Sequence, residues 1–110
     1  MITIEGIIEI NKKFDIGNVV NKSSLDFVLS RTKNTKDWIK QLAGIVRAIL
    51  IDHVFEGGNK RTAAAVILYY FESYQVAYDP YKVDKVIAEI IVKNINSVEH
   101  IRRKLKDAIR

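Results

Sequence analysis

Hydrophobic positions recur along this chain at helical spacing. In "TKDWIKQLAGIVRAILIDH", residues 35–53, Trp38, Leu42, Ile45, Val46, Ile49 and Leu50 follow one another at three- and four-residue steps, the mark of one buried helix face. At about 100° per residue His53 falls in the same stripe, so its side chain is expected to point inward. Gly57 and Gly58 break that helix, and Asn59 is a competent N-cap for the next. Residues 63–71 are apolar on every side, as suits a helix at the centre of the fold. Pro80 after Asp79 opens another helix, with Val83, Val86, Ile87, Ile90 and Ile91 as its buried stripe. Ser97 or Asn96 caps a last one carrying Val98, Ile101, Leu105 and Ile109, and Ser23 or Ser24 caps a short one holding Leu25, Val28 and Leu29. Only "DIGNVVNKS" has strand character. There Gly17, Asn18 and Asn21 flank the β-branched pair Val19 and Val20, which predicts an exposed flap or β-hairpin before the second helix. The pattern as a whole predicts a single all-α domain, a compact bundle of about five or six helices over residues 1–110.

Composition narrows the class. A chain of 110 residues has room for one core, and 48% hydrophobic with 28% charged residues is a globular balance. No cysteine is present, which excludes a disulfide framework, a thiolate nucleophile and a Cys-ligated zinc. Glu5 and Glu9 interrupt the hydrophobics of "MITIEGIIEINKKF", so a secretory signal is not expected there. The longest apolar run, residues 63–71, is far short of the roughly 20 residues a membrane span needs. A cytoplasmic protein without membrane contact is the expectation. A formal charge of +5 favours an acidic partner of some kind. Six cations gather late, at Lys93, Arg102, Arg103, Lys104, Lys106 and Arg110; a solvated helix face accounts for them more simply than a nucleic-acid patch.

Candidate chemistry sits in "HVFEGGNKRTAAA", residues 53–65. A helix N-terminus presents unpaired N–H groups and partial positive charge, and glycines ahead of it let an anion approach without a Cβ in the way. Lys60 and Arg61 in the first turn are the wrong charges for that end, costing roughly 0.3–1 kcal/mol, unless an anion such as a nucleotide phosphate binds there. A neutral His53 nearby has the chemistry to take a proton from a hydroxyl attacking phosphorus. The spacing is not that of a Walker A loop, which needs four residues between its first Gly and Gly-Lys, and a preceding strand.

The run His53-Val54-Phe55-Glu56-Gly57-Gly58-Asn59-Lys60-Arg61-Thr62-Ala63 resembles the core motif of the Fic/Doc family, and its Asn-Lys-Arg-Thr-Ala ending is similar to the death-on-curing toxin branch. Most Fic proteins have Gly where Lys60 stands and a second arginine where this chain has Ala64. The likeness, which extends over nearly the whole chain, implies a transferase moving a phosphate or an AMP group from ATP or a related nucleotide to a hydroxyl of a target protein. Lys60 tilts the reading towards phosphate, with a translation factor as the kind of target. On this resemblance His53 is the general base and Phe55 the buried anchor. Gly57, Gly58, Asn59, Lys60 and Arg61 hold the phosphates. The flap, Gly17, Asn18, Val19, Val20 and Asn21, aligns the target backbone by strand addition.

Gly57 departs from the family, which carries Asp or Glu there to hold magnesium; the chain's own acid, Glu56, lies one residue earlier and is the candidate metal ligand. The resemblance further implies the toxin of a toxin–antitoxin pair. The 110 residues contain no inhibitory string of the Fic type, so a separate, acidic antitoxin is expected. Two other readings stand beside this one: a catalytically weak member kept for binding, and a basic helical nucleic-acid binder working through the late cations.

Overall fold

A computed structural model describes residues 2–110. Six helices follow in order: α1 (Ile4–Asn11), α2 (Lys22–Thr32), α3 (Trp38–Leu50), α4 (Asn59–Ser73), α5 (Pro80–Val92) and α6 (Val98–Asp107). The protein is all-α; among the described residues the only β pairings are two isolated antiparallel bridges, Val19 with Phe55 and Tyr78 with Ile109.

Local signals fix most helix starts. Asp79 caps α5 by accepting from the Tyr81 amide, with Pro80 at the first helical position, where its missing N–H costs nothing. Ser97 caps α6 by accepting from His100 N, and Asp37 caps α3 by accepting from Lys40 N. Two predicted starts shift. The α2 helix begins at Lys22 with Asn21 in the cap position, so neither Ser23 nor Ser24 caps it; the Ser24 hydroxyl is spent on Asp52 Oδ2 at 2.6 Å. Gly58, not Asn59, is the cap of α4, because the chain turns there through φ +74, a conformation that favours glycine.

Helix α3 is the centre. Residues 41–46 and 48–50 are all buried, and α2, α4 and α6 pack around it. The α4 helix buries Ala63, Val66, Ile67, Tyr70 and Phe71 but leaves Tyr69 exposed at 45%, so it is covered on most sides rather than all. The Tyr70 hydroxyl donates to Gln41 Oε1 at 2.7 Å, and burial pushes its pKa above the ordinary tyrosine range. At the same end of α3, Arg102 of α6 donates to the cap residue Asp37 at 2.9 Å. Burial alone would raise the Asp37 carboxyl, but the Lys40 amide and the Arg102 guanidinium outweigh it and hold the pKa below its usual value.

No hairpin forms at the predicted flap. Residues 17–21 run extended beside the segment that leaves α3: Val20 N and Asn21 N donate to Val54 O, and Glu56 N donates to Asn18 O. The reason is that Val54 and Phe55, both buried, offer a fixed partner edge that a two-stranded ribbon in water would lack.

Close packing of α2 on α3 depends on Gly44, where a Cβ would lie 2.8 Å from Val28 Cγ1. Gly44→Ala is expected to lower stability by about 1–3 kcal/mol through overpacking. Adding Val28→Ala should recover part of the loss in a urea denaturation series, whereas equal destabilisation with and without it would mean the contact is not the cause.

Candidate active site

The end of α3 sets the position of the catalytic candidate. The helix stops at Leu50, and Asp52 is drawn out of the helical path by three partners: Arg47 Nη1 at 2.9 Å, Ser24 Oγ at 2.6 Å and, on its carbonyl, Asn21 Nδ2 at 3.0 Å. His53 then takes φ +51 and is exposed. The inward-pointing histidine expected from the helical stripe is therefore corrected. Three residues beyond the last helical one, His53 no longer follows the period of α3 and faces a cleft instead of the core.

Beyond it, Phe55 is 1% exposed and forms the anchor, with its backbone clamped from both sides. Its flap side pairs with Val19. Its other side is held by the Asn59 side chain, where Phe55 N donates to Asn59 Oδ1 at 3.1 Å and Asn59 Nδ2 donates to Phe55 O at 2.8 Å. The Asn59 amide group thus secures the loop.

One cleft of about 490 Å³ gathers five of the predicted site residues, His53, Gly58, Asn59, Lys60 and Arg61, with Phe14, Leu50 and Ile91 as apolar walls. Its size is within the usual range for small-molecule sites. The backbone N–H groups of residues 59–61 open the helix, ahead of the first amide with an intrahelical acceptor. Neither Lys60 nor Arg61 forms an ion pair among the described residues, although both are exposed. A second hollow of about 330 Å³ shares Lys60, Arg61 and Ile91 and continues along α4 and α5 past Ala64, the place of the absent second arginine.

Three predicted site features lie elsewhere. Glu56 does not line the cleft: it is exposed on the flap side and accepts from Asn18 Nδ2 at 2.7 Å. Gly57 packs under the carboxylate of Asp15. The flap residues Gly17, Asn18, Val19, Val20 and Asn21 lie along the Val54–Glu56 backbone rather than in the cleft. Of the late cations, Arg102, Lys104 and Lys93 are in ion pairs with Asp37, Glu99 and Glu89, and Arg103, Lys106 and Arg110 have no such pair among the described residues.

Asn11 is the functional-site residue that sequence reasoning missed. Fully buried at the end of α1, it donates from Nδ2 to Gly57 O at 2.9 Å and to Thr62 Oγ1 at 3.0 Å, and accepts from Gly17 N at 2.9 Å. Nothing local marks it, because its partners are up to 51 residues away. Phe14, a wall of the cleft, was missed for the same reason.

Comparison of the chain with protein-family models, with curated proteins and with solved structures finds no match. The functional reading therefore stands on the geometry of the cleft and on the motif itself.

Asn11→Ala is expected to cost about 2–4 kcal/mol, since the buried Thr62 hydroxyl and the part-buried Gly57 carbonyl lose their donor and the Gly17 amide its acceptor. Urea denaturation measures the loss. A change within about 0.5 kcal/mol would show that Asn11 does not hold the corner together.

Proposed function

We propose that the protein is a Fic/Doc-type transferase that moves a phosphate or AMP group from a nucleotide, ATP by preference, to a hydroxyl of a target protein. The observation that carries this reading is the meeting in one cleft of an exposed imidazole with the N-terminus of α4 and its two unpaired cations. Few structural roles explain Lys60 and Arg61 there, since both oppose the helix dipole. A polyanion in the cleft reverses the sign of that interaction.

In the proposed reaction His53 accepts the proton of the target hydroxyl as its oxygen bonds to phosphorus. Attack at the γ-phosphorus expels ADP; attack at the α-phosphorus expels pyrophosphate. The amides of residues 59–61, with Lys60 and Arg61, take up the phosphate charge. Lys60, rather than the more usual glycine, favours the first of the two outcomes. Magnesium, when bound, neutralises further charge across the phosphates.

The flap suits target docking by backbone. Val19 and Phe55 face each other between the hydrogen bonds made by Val20 N and Glu56 N, so the N–H and C=O of Val19 point to the outer edge and take no partner among the described residues. A target segment adding there would be read through main-chain groups, with exposed Val20 and Ile16 beside it. A toxin role with an acidic antitoxin, and a cytoplasmic site of action, belong to the same proposal and are supported by the motif and the +5 charge alone.

His53→Asn is the cleanest test, because Asn accepts a left-handed backbone more readily than Ala. With ATP labelled at the α- or γ-phosphate and a host lysate, wild type should label a protein and the variant should lose that label by about a hundredfold or more. Equal labelling by both would refute the general-base role.

Lys60→Ala and Arg61→Ala are expected to weaken ATP binding by about 1.5–3 kcal/mol each. The same changes should raise the stability of the unliganded protein by about 0.3–1 kcal/mol, because each removes a cation from the wrong helix end. Calorimetry with wild-type affinity in both variants would return the corner to a purely structural role.

A further inference from the structure

The start of α3 joins two parts of the chain that carry unpaired positive charge. Asp37 accepts from Arg102 Nε of α6 at 2.9 Å, and the same guanidinium meets Glu99 at 3.7 Å. Lys36 and Lys40 flank Asp37 on one side of that pair; on the other, Arg103 follows Arg102 directly and Lys106 follows it by one helical turn. Lys33, which ends α2, continues the run. All five are exposed, and none forms an ion pair among the described residues. The acids of these two segments are Asp37 and Glu99, both turned to Arg102, and Asp107. The late cations are thus half of a larger basic face, whose other half lies 65 residues earlier in the chain.

A basic face alone is usually just solvated, but this one carries an aromatic platform. Trp38, the only tryptophan of the chain, stacks on Tyr74 with ring centroids 4.5 Å apart and planes within 5° of parallel. Tyr74 is nevertheless 49% exposed. A ring backed by an indole and open to water is suited to stack a planar base, and cations around it suit the phosphates of a flexible strand. An acidic peptide would use the cations and leave the ring idle. In a duplex the bases are already stacked on one another.

We propose that this end of the bundle binds single-stranded nucleic acid, with a base on Tyr74 and phosphates on Lys36, Lys40, Arg103 and Lys106. The face is separate from the cleft, because the 13 residues of α3, about 20 Å of helix, lie between Asp37 and the segment that carries His53. The inference does not depend on the nucleotide reading. Binding draws on several phosphates at once, so a mononucleotide is held far more weakly than a strand.

Fluorescence anisotropy of a short labelled single-stranded RNA, titrated with the full chain over a salt series, tests this. Wild type should bind at physiological salt, with log K falling against log salt by roughly 0.7 for each phosphate held. Lys36→Gln with Arg103→Gln should weaken binding by about tenfold and flatten that slope. Lys60→Ala with Arg61→Ala, in the cleft, should change neither. Tyr74→Leu should lose about fivefold or more in affinity at an unchanged slope, and Tyr74→Phe should keep wild-type binding. Trp38 fluorescence should respond to the RNA and not to polyglutamate. The substituted cations are exposed, so their loss of binding should come without a change in thermal melting. No RNA binding at physiological salt would overturn the proposal, as would binding lost in the cleft variant but kept in Lys36→Gln with Arg103→Gln. Wild-type affinity in Tyr74→Leu, or polyglutamate bound as tightly as RNA, would overturn it in favour of an acidic protein partner.

Discussion

Everything near the cleft depends on one buried amide. Asn11 closes α1, and with three hydrogen bonds it joins the flap, the glycine corner and the first turn of α4. A fully buried Asn left without partners would be costly, so the geometry of those three segments is fixed relative to one another. The turn carrying Phe14 and Asp15 follows directly. Phe14 then forms a wall of the cleft, and Asp15 is set against Gly57.

A second layer of fixed backbone meets the first at Phe55. Its ring is in the core, one edge of its backbone belongs to the flap and the other to Asn59. Loop residues held this way need no side-chain bulk of their own, which explains how "GGN" can be both open to a ligand and rigid. Asp52 does the equivalent for the other wall. Its bonds to Arg47, Ser24 and Asn21 end α3 and turn His53 out to the cleft. Preorganisation of this kind is what a site acting on developing charge requires.

The helices were legible where a local signal decides them. Asp79 with Pro80, Ser97, and the Trp38–Leu50 stripe each act through neighbours within a turn or two, so their reading needs no tertiary knowledge. The α1 helix is less visible, because its eight residues, with Ile4, Ile7 and Ile8 at helical spacing, are too few for the period to stand out. His53 was misplaced because the α3 period was carried three residues past the helix, and what ends the helix includes bonds from Ser24 and Asn21, 28 and 31 residues away. Asn59 was read as a cap from its local preference. The positive φ of the turn gave that place to Gly58 and released the Asn59 side chain for Phe55. The motif therefore named most of the cleft, while the residues that hold the cleft in shape came from the other end of the chain.

The central claim is that nucleotide phosphates bind at the start of α4, opposite His53. Two-dimensional amide NMR during an ATP titration with Mg2+ tests it directly. The account predicts saturable shifts concentrated at Gly58, Asn59, Lys60 and Arg61, with the His53 imidazole responding in parallel and the amides of Arg103 and Lys106 on α6 unmoved. Shifts centred on α6, or none at the glycine corner at millimolar ATP, would contradict it.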